Sequence, residues 1–154
     1  LIPILSYNFG ARSAPRITQG IRFGLTLAAG TGLGGAVILC LAASPLLRYC
    51  FRAGEEAIAM GGPALGMTAL AFPIAAVSII LSASFQSLGH SPLSLLVSLL
   101  RQILLLLPIA ALFLRLAPDL VWLSFFCAEV LACLTAVLLY RRTIAPRIRA
   151  LSSP

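Results

Sequence analysis

LSLLVSLLRQILLLLPIAALFLRL, residues 93–116, is the stretch on which the fold turns. Apart from Arg115 near its end, it carries a single charge, Arg101, in an otherwise apolar run. As a helix rising about 1.5 Å per residue, it is longer than the roughly 30 Å hydrocarbon core of a bilayer, which about 20 residues suffice to cross. Lipid offers backbone groups no water to bond, so a run of this kind reads as a membrane-spanning helix. Three further blocks have the same character: Phe23 to Leu47, Ala64 to Leu88 and Leu120 to Tyr140. Leu1 to Phe9 reads as the tail of an earlier helix that leaves the bilayer at Gly10. The expected fold is therefore all-α, a polytopic transmembrane bundle of four full spans plus the end of a preceding helix, with a tail over residues 141–154.

Composition agrees. The 154 residues are 60% hydrophobic and 10% charged, with a mean hydropathy of +1.06, whereas soluble domains are roughly 45–50% apolar and about 25% charged. The net charge of +7 comes from eleven arginines against four carboxylates. A nucleic-acid-binding surface would gather such charge on one soluble face. Here the arginines sit between apolar blocks, which excludes that partner and points to the lipid bilayer. Cys40, Cys50, Cys127 and Cys133 form no CxxC pair and have no zinc spacing with the single histidine, so neither a metal site nor a disulfide framework is expected. Leu1 opens inside an apolar phrase rather than with Met and a basic leader, so the chain is expected to begin within a longer protein.

The charges between blocks orient the spans. Arg12, Arg16 and Arg22 precede the first, and Arg141, Arg142, Arg147 and Arg149 follow the last, so both flanks are expected to be cytoplasmic. Arg48 and Arg52 are offset by Glu55 and Glu56, and Arg115 by Asp119, which assigns those loops to the outside. Gly89 to Pro92, nearly uncharged, falls inside by alternation.

Within the spans, Pro73 and Pro108 are expected to kink their helices, and Pro45 lies near the end of the first. Gly30, Gly32, Gly34 and Gly35 look like a dinucleotide loop but lie in a span; Gly30 and Gly34 instead have the GxxxG spacing that lets a neighbouring helix approach. Ser78, Ser82 and Gln86 recur every four residues, as do Ser94, Ser98 and Gln102, giving two polar stripes that either bond each other or line one wet vestibule. Arg101 and Glu129 are the ionisable residues inside spans. A charge near the bilayer centre costs at least about 2.5–3.5 kcal/mol, so such residues face protein or water and mark a functional path. Counting from the outer turn at Pro118 separates the two by roughly 9 Å along the helix axes, within pairing reach. Either the pair is fixed and structural, or it changes protonation or partner during transport. His90 reads as exposed loop.

Taken together, Pro3-Ile4-Leu5-Ser6-Tyr7-Asn8-Phe9-Gly10-Ala11-Arg12 resembles the PxxSYNxGA phrase of the multidrug and toxic compound extrusion family. Phe85-Gln86-Ser87-Leu88-Gly89-His90-Ser91 is similar to that family's FQSxGxS turn, followed in matching order by Leu99-Leu100-Arg101-Gln102, Pro108, Trp122 and Glu129. The resemblance implies two six-helix lobes around a central cavity with cytoplasmic termini, in a bacterial inner membrane. This chain would be the end of the eighth helix and helices nine to twelve, and its partner the N-terminal lobe. It also implies antiport, with a proton or sodium ion running inward as an amphipathic drug leaves, and no other cofactor.

The first three full spans contain no Asp or Glu, unlike family branches with a carboxylate in those helices; other branches use an Asp of the first lobe, so the resemblance leaves the coupling residue open between that lobe and Glu129, the candidate in this chain. Arg101 and Gln86 stand beside it, with Ser78, Ser82, Ser98 and Gln102 as candidate cavity lining. Other readings are a lipid-linked oligosaccharide or polysaccharide flippase of the same superfamily, which would need more fixed positive charge, and a non-transporting membrane anchor. An enzyme is not expected, since no carboxylate cluster is present to run acid–base chemistry. Because four spans do not enclose an alternating-access cavity, the chain alone is not expected to transport.

Overall fold

The computed structural model describes residues 1–52 and 54–151. Those residues form helices joined by short turns, with no strand among them. The order is α1 (Ile2–Gly10), α2 (Ala14–Pro45), α3 (Glu55–Ala69), α4 (Phe72–Ser87), α5 (Ser91–Leu99), α6 (Leu106–Leu116), α7 (Leu123–Leu139) and α8 (Ala145–Ala150).

Widened π-helical turns at Leu46–Cys50, Leu100–Leu104 and Tyr140–Ile144 continue α2, join α5 to α6 and join α7 to α8. Three continuous helices are then long and apolar enough to cross a membrane: Ala14–Cys50, Ser91–Leu116 and Leu123–Ala150. The pair α3 and α4, bent by 45°, is long and apolar enough to make a fourth if the two count as one broken span. The bundle leaves large apolar side chains outward along these helices, among them Leu41, Leu107, Leu114 and Leu138. In water that surface would be a gross liability; in hydrocarbon it is the solvated face.

Several element bounds differ from the sequence expectation, each for a local reason. The first span begins at Ala14 rather than Phe23, because Pro15 sits in the first helical turn, where its missing N–H is harmless. The expected single helix from Ala64 to Leu88 is two helices, one starting at Glu55 and both interrupted at Leu70–Ala71. Pro73 is responsible: it lies in the first turn of α4, so the expected kink is a complete restart. The last helix does not stop at Tyr140 but continues through α8, and residues 152–154 of the expected tail lie outside the described residues.

Pro108 acts through the turn before it. A helical proline ring collides with the carbonyl four residues back, here Leu104, and the chain relieves this by widening Leu100–Leu104 so that the Leu105 N–H donates to Leu100 O at 2.9 Å. Pro146 follows the widened turn Tyr140–Ile144 more closely, with Arg142 four residues back, and there the Ala145 N–H donates to Tyr140 O.

Two helix ends have one design. The His90 N–H donates to Phe85 O at 2.8 Å and the Gly89 N–H to Gln86 O at 3.2 Å, with Gly89 at φ +81. After α1, the Ser13 N–H donates to Asn8 O at 2.9 Å and the Arg12 N–H to Phe9 O at 3.1 Å, with Arg12 at φ 51. Both are Schellman caps; the second puts an arginine where glycine is the unstrained choice. Ser6 Oγ donates to Ser87 O at 3.2 Å, tying the two caps together.

The core lies at this end. Leu5, Ile17, Ile21, Leu81, Phe85, Leu88, Val97, Ile144 and Ile148 form one buried cluster. Arg147 Nη1 donates to Leu88 O at 3.4 Å and lies 3.3 Å from His90 Nδ1, so α8 is fastened to the α4–α5 turn and His90 is half-buried rather than an exposed loop residue.

The glycine run of α2 packs with a different register from the GxxxG expectation. A Cβ on Gly30 or Gly34 would meet open space, whereas one on Gly32 would meet Phe72 O at 3.0 Å and Pro73 Cα at 3.1 Å. Gly32 is thus the point where α2 touches the α3–α4 break.

Candidate functional site

The two polar stripes and the two intramembrane charges meet in one region, bounded by α4, α5, the Leu100–Leu104 turn and α7. Gln86 Nε2 donates to Ser94 Oγ at 2.8 Å across the α4–α5 hairpin. Above that bond lies a cleft of about 270 Å³, lined by Ser82, Gln86, Ser94, Ser98 and Arg101, with Ile2 and Ile79 at its apolar edge. The hairpin provides both outcomes foreseen for the stripes: a hydrogen bond between them and a polar vestibule.

The stripes are not straight. Four residues of an α-helix turn through about 400°, so each step along such a series drifts by roughly 40°. Ser78 therefore lies about 80° round from Gln86 on the same count. It is fully buried, its hydroxyl donating to Ile74 O at 3.4 Å and lying beside the Cys133 thiol of α7. Gln102 is likewise about 80° from Ser94, while Arg101, seven residues on, returns to within about 20°. Gln102 is exposed and away from the cleft, and Arg101 lines it. Of the four residues expected to line a cavity, Ser82 and Ser98 do so, while Ser78 and Gln102 stand elsewhere for this geometric reason.

Arg101 Nε lies 3.3 Å from Glu129 Oε1, with side chains 20% and 15% exposed. The widened turn containing Arg101 exists because of Pro108, so the proline expected to mark a cavity instead shapes the element that holds the charge. Glu129 Oε2 is buried and has no hydrogen-bond partner among the described residues. The other described ion pair, Arg48 with Glu55 at 3.0 Å, is largely exposed at the opposite end and contributes little, as exposed pairs do.

The backing of the site was less visible in the sequence. Ser124, Ala128, Ala132 and Ala136 are buried on one face of α7. Small side chains at every fourth position let a neighbouring helix come close, and α4 packs on α7. Glu129 and Cys133 each follow a member of that row, which places them at the edge of the contact rather than in lipid. The signal was the i, i+4 recurrence of small residues, masked by the general abundance of alanine.

Residues 1–112 match the family model described as MatE. No curated protein matches the chain, and no solved structure does. Gln86, Ser82, Ser98 and Arg101 lie inside the matched residues and Glu129 beyond them, so its place in the site rests on geometry alone.

Proposed function

We propose, from the premise that this chain belongs to the MatE family of membrane transporters, that its helices form part of the second lobe of a secondary active antiporter. The cargo is an amphipathic, often cationic, drug or other xenobiotic, exchanged for protons or sodium across a bacterial inner membrane, with the C-terminus cytoplasmic and an N-terminal lobe completing the cavity. The membership is in a family of transporters rather than enzymes, and the chain's long apolar helices make it a multi-pass membrane protein.

The observation that carries the proposal is the Arg101–Glu129 pair at the edge of the polar cleft. With Glu129 ionised the pair is neutral, and a cation entering the cleft meets an Arg101 whose charge is offset by Glu129 behind it. When a proton binds the free Oε2, the attraction between the partners is lost and the positive charge of Arg101 stands alone beside the cleft. In a medium of low dielectric that charge repels a cation strongly. Proton and cationic cargo therefore exclude each other through the charge state of one carboxylate, which is the exclusion an antiporter needs. A sodium ion at the same oxygen would compete in the same way.

The test is efflux of a fluorescent cationic dye from cells carrying the transporter that contains this lobe, driven in turn by a proton and a sodium gradient. Efflux that is abolished by Glu129→Gln at normal expression supports the reading. Full transport and unchanged pH dependence in Glu129→Gln would reject the coupling role. Absence of efflux by the unaltered protein under either gradient would favour a flippase of lipid-linked saccharides or a non-transporting anchor.

A further inference from the structure

Besides the cleft beside Arg101, a groove of about 530 Å³ runs between the start of α2 and α8. Its floor is Ala14 and Ile148, both buried, and its rim carries Thr18, Gln19, Arg22 and Arg149. It runs on, through the shared residues Phe23 and Thr26, into a second and shallower groove along α2 bounded by Leu27, Gly30 and Thr31. Phe23 and Leu27 are 68% and 57% exposed, and the missing Cβ of Gly30 leaves open space. The whole feature thus has a polar, doubly cationic head and an apolar trough leading away from it. From Arg22 to Thr31 the trough rises about 14 Å, close to half of the roughly 30 Å hydrocarbon thickness.

The charge at this end is unbalanced. Arg12, Arg16, Arg22, Arg141, Arg142, Arg147 and Arg149 gather there, while the four carboxylates of the chain are Glu55, Glu56 and Asp119 near the other end and Glu129 paired within the bundle. No acidic side chain of this sequence is placed to neutralise Arg22 or Arg149. At the opposite end the basic residues have acidic neighbours, and Arg48 is bonded to Glu55.

We propose that the α2–α8 groove is a binding site for an anionic phospholipid, with the headgroup phosphate held by Arg22 and Arg149, the glycerol region against Thr18 and Gln19, and one acyl chain lying along Phe23, Leu27 and Gly30. The phosphate supplies the counter-charge that the chain lacks at this end. The trough gives the acyl chain a fixed path that a freely mobile counter-ion would not use. This site is separate from the Arg101–Glu129 cleft, and its occupancy does not depend on what the protein transports.

The test uses the full chain in phosphatidylcholine nanodiscs. Trp122 is the single tryptophan; Trp122→Phe with Phe23→Trp moves the fluorophore to the junction of head and trough. Phosphatidylglycerol with brominated acyl chains, titrated in at low mole fraction, is expected to quench that tryptophan about thirtyfold more effectively than brominated phosphatidylcholine, the scale set by two basic groups at a membrane surface. Adding Arg22→Ala and Arg149→Ala should remove the preference. Adding Arg12→Ala and Arg142→Ala, which takes the same charge from the same end outside the groove, should retain it, and inorganic phosphate should not reverse the quenching.

Equal quenching by the two lipids, or loss of the preference in the Arg12 and Arg142 variant to the same degree, would overturn the proposal in favour of a diffuse basic belt. Reversal by phosphate would make the site one for a free anion. A tryptophan at 23 that neither lipid quenches would mean that protein covers the groove. Unchanged helical circular dichroism in each variant keeps loss of folding out of the comparison.

Discussion

Breaking the Arg101–Glu129 pair from both sides should cost well under the sum of breaking it from each side alone. At 3.3 Å and an effective dielectric of about 20, the gross attraction between unit charges is about 5 kcal/mol, most of it offset by desolvation. Truncating one partner of a fully buried pair costs about 3–5 kcal/mol, because a charge is left uncompensated. These side chains are 20% and 15% exposed and Arg101 borders the cleft, so the cost falls below that fully buried range. Glu129→Gln and Arg101→Gln are each expected to lose about 2 kcal/mol, and the double variant about 2.5, a coupling of about 1.5 kcal/mol. The assay is reversible unfolding of the purified protein in mixed micelles by titration with sodium dodecyl sulfate, followed by helical circular dichroism. Additivity of the two substitutions within about 0.3 kcal/mol would show that the charges do not interact and would refute the reasoning.

Other expected outcomes follow from the backbone. Gly32→Ala drives a Cβ into Phe72 O and the Pro73 backbone, and the same unfolding titration should show a loss of about 1–3 kcal/mol; Gly30→Ala and Gly34→Ala, facing open space, should be neutral or stabilising by up to about 1 kcal/mol. Arg12→Gly relieves a left-handed residue at a Schellman cap and should raise stability by about 1 kcal/mol, whereas Gly89→Ala at the equivalent place should lower it by a similar amount. Pro108→Ala lets the Leu100–Leu104 turn close to a regular helix and rotates Arg101 away from Glu129, so the coupling in the double-variant cycle should fall below about 0.5 kcal/mol.

Much of the architecture was legible because lipid imposes a coarse rule. Apolar runs long enough to cross hydrocarbon must be helical, so the three long helices and the bent α3–α4 pair needed only length and composition. What the runs did not disclose was backbone irregularity. Pro73 and Pro108 look alike in the sequence, yet one restarts a helix and the other widens the turn before it, because the first lies in an opening turn and the second has a carbonyl four residues back to displace. Spacing by four also misled: it suggested straight stripes, and the 40° drift per step carried Ser78 into the α4–α7 contact and Gln102 out of the cleft. Arg101 and Glu129 were identifiable by cost alone, as charges in apolar spans. Their contact depended on the widened turn, which only the folded chain displays. The groove at α2 and α8 combines residues more than a hundred positions apart and had no signature beyond the excess of arginine.

Proton release on cargo binding tests the central claim most directly. The transporter containing this lobe is held in a weakly buffered solution with a pH indicator, and a cationic dye is added in excess. With cargo favouring ionised Glu129, dye binding is predicted to release up to one proton per dye, in proportion to the fraction of Glu129 protonated beforehand and so rising as the starting pH is lowered, and none from Glu129→Gln although dye still binds. Equal release from both proteins, or none from the unaltered one while proton-driven efflux persists, would place the coupling group elsewhere and contradict the account.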